Sequence, residues 1–203
     1  MRRALVVAVL LALPIATARA EAPPKKIEAA PTAAAPAPAP APVPRGEMAH
    51  AVIKGEGGQA LGAAALEDSA HGVIITAQLH HLSPGMHAFH IHDTGKCEPP
   101  FKTAGGHFNP AGHKHGVRNP EGLHAGDLPN IEVGADGAAR FQFFAAGATL
   151  KAGEKNSLFD ADGAALVVHK GEDDLASDPA GNAGDRIGCG VVERNPTPGR
   201  PSK

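Results

Sequence analysis

Four residues, Phe89-His90-Ile91-His92, constrain this chain more than any other segment. They read as a β-strand, and strand side chains alternate between faces, so both imidazoles point to one side while Phe89 and Ile91 point to the other. A rigid sheet that aims two imidazoles at one place is a way to build a metal site. Ten of the twelve histidines lie between His71 and His124; His107, His115 and His124 follow the strand at wider spacing, with Asp127 just behind. One more returns far downstream in Ala165-Leu166-Val167-Val168-His169. A single histidine is ordinarily a surface or core residue, but a paired strand motif, a spaced loop set and a return histidine together point to metal.

The chain divides by composition. Residues 1–20 carry Arg2 and Arg3, an apolar run broken by Pro14, and Ala18-Arg19-Ala20, the pattern of a secretory leader with a small-x-small cleavage site. Its apolar run is too short for a comfortable membrane span, so membrane contact is expected only if the leader is retained as an anchor. Residues 21–46 are rich in Ala and Pro, as in Ala35-Pro36-Ala37-Pro38, and read as an extended tether. A domain is expected over 47–195, roughly 150 residues and enough for one core, with a short tail over 196–203. Losing residues 1–20 removes Arg2, Arg3 and Arg19 but no acid, taking the formal charge from −2 to −5. That charge, the lack of a basic stripe, and aromatics limited to seven Phe besides the histidines exclude a nucleic-acid binder.

Short β-rich runs recur between turn signals: Met48 to Lys54, Gly72 to Leu79, Met86 to His92, Ala139 to Phe144, Ala165 to His169 and Ile187 to Glu193. No amphipathic helix is visible. The stretches Asp93 to Asn130 and Gly171 to Asp185 do not read as strands, and loops of that length inside a compact domain are usually functional. The fold expected is all-β, a sandwich or barrel carrying two long loops. Cys97 and Cys189 are the only cysteines. In an exported chain they read most simply as one disulfide, with metal thiolates as the alternative.

The motifs Gly85-Met86-His87-Ala88-Phe89-His90-Ile91-His92, Gly106-His107-Phe108-Asn109-Pro110, His124-Ala125-Gly126-Asp127-Leu128, Leu166-Val167-Val168-His169 and Gly181 to Gly190 occur in the order found in the copper/zinc superoxide dismutases, which the domain resembles over nearly its whole length. The resemblance implies an eight-stranded Greek-key β-barrel or sandwich. It implies copper on His90, His92, His107 and His169, and zinc on His107, His115, His124 and Asp127, with His107 bridging the two. It further implies that Asp173 orients His90 and His115, with Asp174 as the rival position, and that Cys97 and Cys189 are bridged. Arg186 and His107 would be the catalytic residues: Arg186 orients superoxide beside copper, and His107 takes up and returns a proton as copper is alternately reduced and reoxidised. Localisation would be the periplasm of a Gram-negative bacterium, and a homodimer is the preferred state.

His113 competes with His115 for zinc, and the family spacing favours His115. His87 has the opposite strand parity to His90 and His92, which gives it a structural role, and His50, His71, His80 and His81 default to the surface. The segment 173–186 contains no lysine, and Ala180 stands where many members have threonine. Steering of the substrate is therefore expected from Lys96, Lys102, Lys114 and Arg118. Two rivals share the composition: a non-catalytic copper/zinc-binding protein of the same fold, which would not need Arg186, and a cupredoxin-type carrier, which would need a His and a Met soon after a copper-binding Cys.

Overall fold

A computed structural model of the protein describes residues 46–195. The expected leader, the tail, and all of the Ala/Pro-rich spacer except Gly46 lie outside them. Ten strand segments are present: β1 (Met48–Gly55), β2 (Ala60–Asp68), β3 (Val73–Leu79), β4 (Gly85–His87), β5 (Phe89–His92), β6 (Ile131–Val133), β7 (Ala139–Ala145), β8 (Ala165–His169), β9 (Arg186–Val191) and β10 (Glu193–Arg194). Single residues, Ala88 and Val192, part β4 from β5 and β9 from β10, so the ten segments make eight strands. One 3-10 turn, Lys102–Ala104, is the only helical segment among the described residues.

All pairings between named strands are antiparallel, in the order β5-β8-β9-β1-β2-β3-β7 with β10 also on β1, and β4 pairs separately with β6. Because β4 runs into β5 and β6 turns at Gly134–Ala138 into β7, the two sheets curl round one core. The long connections that carry β5 to β8 rather than to β3 are those of a Greek key.

The run Met86 to His92, expected as one strand, is corrected to two. At Ala88 the chain leaves β6 and takes β8 as its partner: the Ala88 N–H donates to Gly171 O at 2.8 Å and its carbonyl accepts from His169 N at 2.9 Å. β2 and β6 were not apparent in the sequence. The alanines of β2 have little strand preference of their own, and pairing with β1 and β3 on both sides holds them extended.

The core lies inside the curl, filled by alternate residues such as Ile53, Leu66, Ile75, Phe89, Ile91 and Leu166. At about 1.5–3 kcal/mol for each large side chain buried, this face fixes the register. What positions the histidines is the other face. Ala165, Val167 and Cys189 pack outward against Phe101 and Ala104 of the first long loop, which a Cys97–Cys189 disulfide fastens to β9. The same loop zips onto β5: Ile91 N donates to Gly126 O at 3.0 Å, Phe108 N to Ile91 O at 2.9 Å, and Gly126 N to Phe108 O at 2.8 Å. A Cβ at Gly126 would strike Ile91 O, so only glycine permits this approach.

Candidate metal centre

The zipper decides which side chains meet. It sets His107 opposite His92 and Asp127 opposite His90 as isolated bridges. In β8, His169 shares the outward parity of Val167, which faces His90 in the β5–β8 register. Four histidines therefore converge on the outside of the barrel yet are buried beneath the loop, from 0 % exposure for His90 and His92 to 6 % for His107.

Two sets of donor atoms result: His90, His92, His107 and His169, and His107, His115, His124 and Asp127, each with its ligand atoms within 4.8 Å of one another. Metal–nitrogen bonds of roughly 2 Å from a central ion span such a cluster with small adjustments. His107 belongs to both sets and offers a different ring nitrogen to each.

Hydrogen bonds fix the tautomers. His90 Nε2–H donates to Asp173 Oδ2 at 2.9 Å, leaving Nδ1 as the lone-pair atom. His92 and His169 donate from Nδ1 to Gly105 O at 3.1 Å and Gly184 O at 3.3 Å, which turns both Nε2 atoms inward, 3.4 Å apart. His90 Nδ1 and His107 Nε2 are buried with no partner. Such an atom costs about 1–3 kcal/mol when left unsatisfied, and lone pairs facing one another repel, so this tetrad suits a cation. Burial, above all, pushes His107 down to about 4 and His169 to about 3, and lowers His92 as well. The rings are held neutral, the form that binds metal. Four imidazoles suit a redox-active copper.

In the second set, Nδ1 of His107, His115 and His124 surround Asp127 Oδ1 at 2.7, 3.0 and 3.1 Å. Asp127 Oδ2 accepts from the N–H groups of Gly116 and His124 at 2.9 and 3.0 Å, which orients the carboxylate. Burial pulls His115 down, but its bonds to Asp127 and Asp173 outweigh this and hold it up at about 9. Burial likewise opposes ionisation of both aspartates, yet their histidine bonds hold them well below the usual carboxylate range. Three imidazoles and a carboxylate fit a closed tetrahedral zinc, which would take the place of the His115 proton shared with Asp127.

Asp173 ties the halves together, since Oδ1 accepts from His115 Nε2–H at 2.9 Å while Oδ2 holds His90. Asp174, its rival, is half-buried and instead accepts from the Ala176 and Ser177 N–H groups. Sequence reasoning missed the clamp on Asp173: Asn130 accepts from its N–H and donates to its carbonyl, both at 2.8 Å. It also missed Gly181, at φ +62, where a Cβ would collide with Asp173 Oδ1 and lie 2.8 Å from His115 Nε2. Asn130 could have been suspected only from its place at the loop's end.

His113 stays exposed and outside both sets. His87 is buried and donates from Nδ1 to His169 O at 2.8 Å, bracing that residue from behind. Arg186 faces His169 across β8 and β9. Its Nη1 and Nη2 donate to Phe101 O and Gly105 O, both at 2.7 Å. The loop fastened by Cys97 therefore holds both the guanidinium and His92.

Residues 60–192 match the family described as copper/zinc superoxide dismutase. A superoxide dismutase [Cu-Zn] of Aquifex aeolicus is 53% identical over 71% of this chain and 85% of its own. One of Caulobacter vibrioides is 43% identical over 71% and 85%. Among solved structures, a SOD-like protein from Bacillus subtilis is 40% identical with a TM-score of 0.68, covering 73% of this chain and 99% of that one. The Cu/Zn superoxide dismutase of Brucella abortus is 28% identical with a TM-score of 0.59, over 72% and 100%. The chain belongs to the copper/zinc superoxide dismutase family.

Proposed function

We propose that this protein dismutates superoxide, converting two superoxide anions and two protons to dioxygen and hydrogen peroxide, with copper on His90, His92, His107 and His169 and zinc on His107, His115, His124 and Asp127. The observation that carries this reading is the pair of buried, partnerless lone-pair atoms, His90 Nδ1 and His107 Nε2, in a four-imidazole cluster that shares His107 with a zinc-type set. Copper bound there supplies one-electron redox chemistry, alternately accepting and returning an electron. Arg186 orients the substrate anion by charge and paired N–H groups, since two backbone carbonyls hold its guanidinium beside the tetrad. His107 Nε2 holds a proton between the half reactions and gives it to the departing peroxide; the second proton comes from water. Zinc held by His107 together with His115, His124 and Asp127 would keep the ring aligned for both tasks.

We further propose export to the periplasm through cleavage after Ala20, with residues 21–46 as a tether, and assembly as a homodimer. The disulfide supports export, since such bonds persist in oxidising compartments. Exposed Met86, Val117 and Leu123 offer an apolar face for assembly, which sedimentation would test.

The test of function is superoxide consumption by copper- and zinc-loaded protein. Arg186→Ala separates an enzyme from a metal carrier of the same fold: both metals should stay bound while the rate falls roughly 10-fold or more, and Arg186→Lys should recover part of the loss. Wild-type rate in fully loaded Arg186→Ala would leave the arginine as an ordinary surface charge.

A further inference from the structure

The zinc-type set is not sealed evenly. The side chains of His107 and His115 are 1 % and 0 % exposed, whereas those of His124 and Asp127 are 7 % and 6 % exposed. The set therefore has one thin wall, formed by His124 and Asp127. His113 stands nearby in the same loop and belongs to neither donor set.

Outside that wall lies a cleft of about 640 Å³. The first long loop lines one side with His113, His124 and Asp127, and the end of β7 and the connection to β8 line the other with Phe144, Gly147 and Lys155. The two sides meet at Gly147, where a Cβ would fall 2.6 Å from that of Ala125. His113 is exposed, and its place is fixed through its backbone: Asn109 accepts from its N–H at 3.0 Å and donates to its carbonyl at 2.8 Å. Its ring has no hydrogen-bond partner among the described residues, which leaves a lone pair free to take a metal ion. A neighbouring pocket of about 470 Å³ reaches Asp127 past Val117 and Leu175 but holds no histidine. The cleft outside the copper-type set, lined by Gly184 and Arg186, touches no member of the zinc-type set.

We propose that the cleft beside His124 and Asp127 is the way by which zinc enters and leaves its set, and that His113 is the waypoint at its mouth, binding the ion through one imidazole before those two ligands take it over. This rests on the assignment of zinc to His107, His115, His124 and Asp127. Aqueous zinc must exchange bound water for protein donors to reach a closed four-coordinate site. A first imidazole replaces part of that water and raises the local concentration of the ion beside the next donors. His113 has no place in the final coordination, so it lowers the barrier in both directions and leaves the equilibrium untouched. Lys155, on the opposite wall and without an ion pair among the described residues, opposes the approach of a dication.

The experiment follows zinc release from copper- and zinc-loaded protein to an excess of chelating dye, and zinc uptake by copper-loaded protein freed of zinc, both by stopped flow. His113→Ala should slow uptake and release by a common factor of roughly 10 with unchanged zinc affinity. His113→Asp, which restores a donor, should recover part of the rate. Lys155→Glu should quicken uptake at low salt, with the gain fading as salt screens it. Ala111→Trp, which fills the cleft, should slow exchange, and Val117→Trp in the neighbouring pocket should not. Wild-type uptake and release in His113→Ala would overturn the proposal, as would a change of affinity alone or slowing by Val117→Trp in place of Ala111→Trp. Copper-loaded wild type that takes up no zinc would instead sink the zinc assignment itself.

Discussion

His115 and its neighbours illustrate how single residues set the behaviour of this centre. Its raised value of about 9 means that folded protein without metal keeps a proton which the unfolded chain gives up near 6.5. Stability from this group is fully present below pH 6.5 and is lost as pH rises through about 9. His107 and His169 act in the opposite sense: held at about 4 and 3, they refuse protons that the unfolded rings accept near 6.5, so stability falls as pH drops below that point. Metal-free protein should therefore be most stable near pH 6.5. Thermal unfolding in chelator across pH checks this, and stability rising steadily from 6.5 to 9 would contradict it. Gly181→Ala tests the bridge between the halves. The added Cβ must displace Asp173 Oδ1 and crowd His115 Nε2, so zinc affinity should fall roughly 10- to 100-fold, the usual effect of disturbing groups that orient metal ligands. Competition with a zinc-binding dye would measure it.

At the level of elements, the first long loop behaves as a ninth strand in fragments, paired to the free edge of β5 and fastened to β9 by the disulfide. Removing the bridge with Cys97→Ser and Cys189→Ser should cost about 2–5 kcal/mol. It should also loosen the Phe101 and Gly105 carbonyls that hold Arg186, so that activity falls more than copper content does. Calorimetry beside metal analysis would show this, and equal losses of copper and activity would count against the coupling. The strands whose apolar residues alternate, β1, β3 and β7, were legible in the sequence, as was β8 from its apolar run. β2 and β6 were not, because an alanine-rich strand and a three-residue strand owe their extension to neighbours. The break at Ala88 was invisible for the same reason: it marks a change of partner, and partners are not written in local sequence.

Across the whole molecule, both donor sets and the disulfide lie within residues 46–195. A chain limited to those residues should bind both metals and dismutate superoxide as fast as the longer exported form, while mass spectrometry of the exported protein should find Glu21 at its start. A truncated chain that folds but cannot hold zinc would show that the outer segments contribute to the centre. The sequence alone determined the residue types and parity of the site: imidazoles at His90 and His92 on one strand face, His169 on a second strand, and His107, His115, His124 and Asp127 in a loop too polar and glycine-rich to be core. These are local properties, set by the two-residue period of a strand and by the chemistry of each side chain. Only the tertiary structure decided that the outward face is buried, that Asn130 and Gly181 secure Asp173, and that His113 shares a cleft with His124 and Lys155. Those depend on how loops far apart in the chain close over the barrel, and closure is governed by long-range hydrogen bonds and packing that no short window of sequence contains.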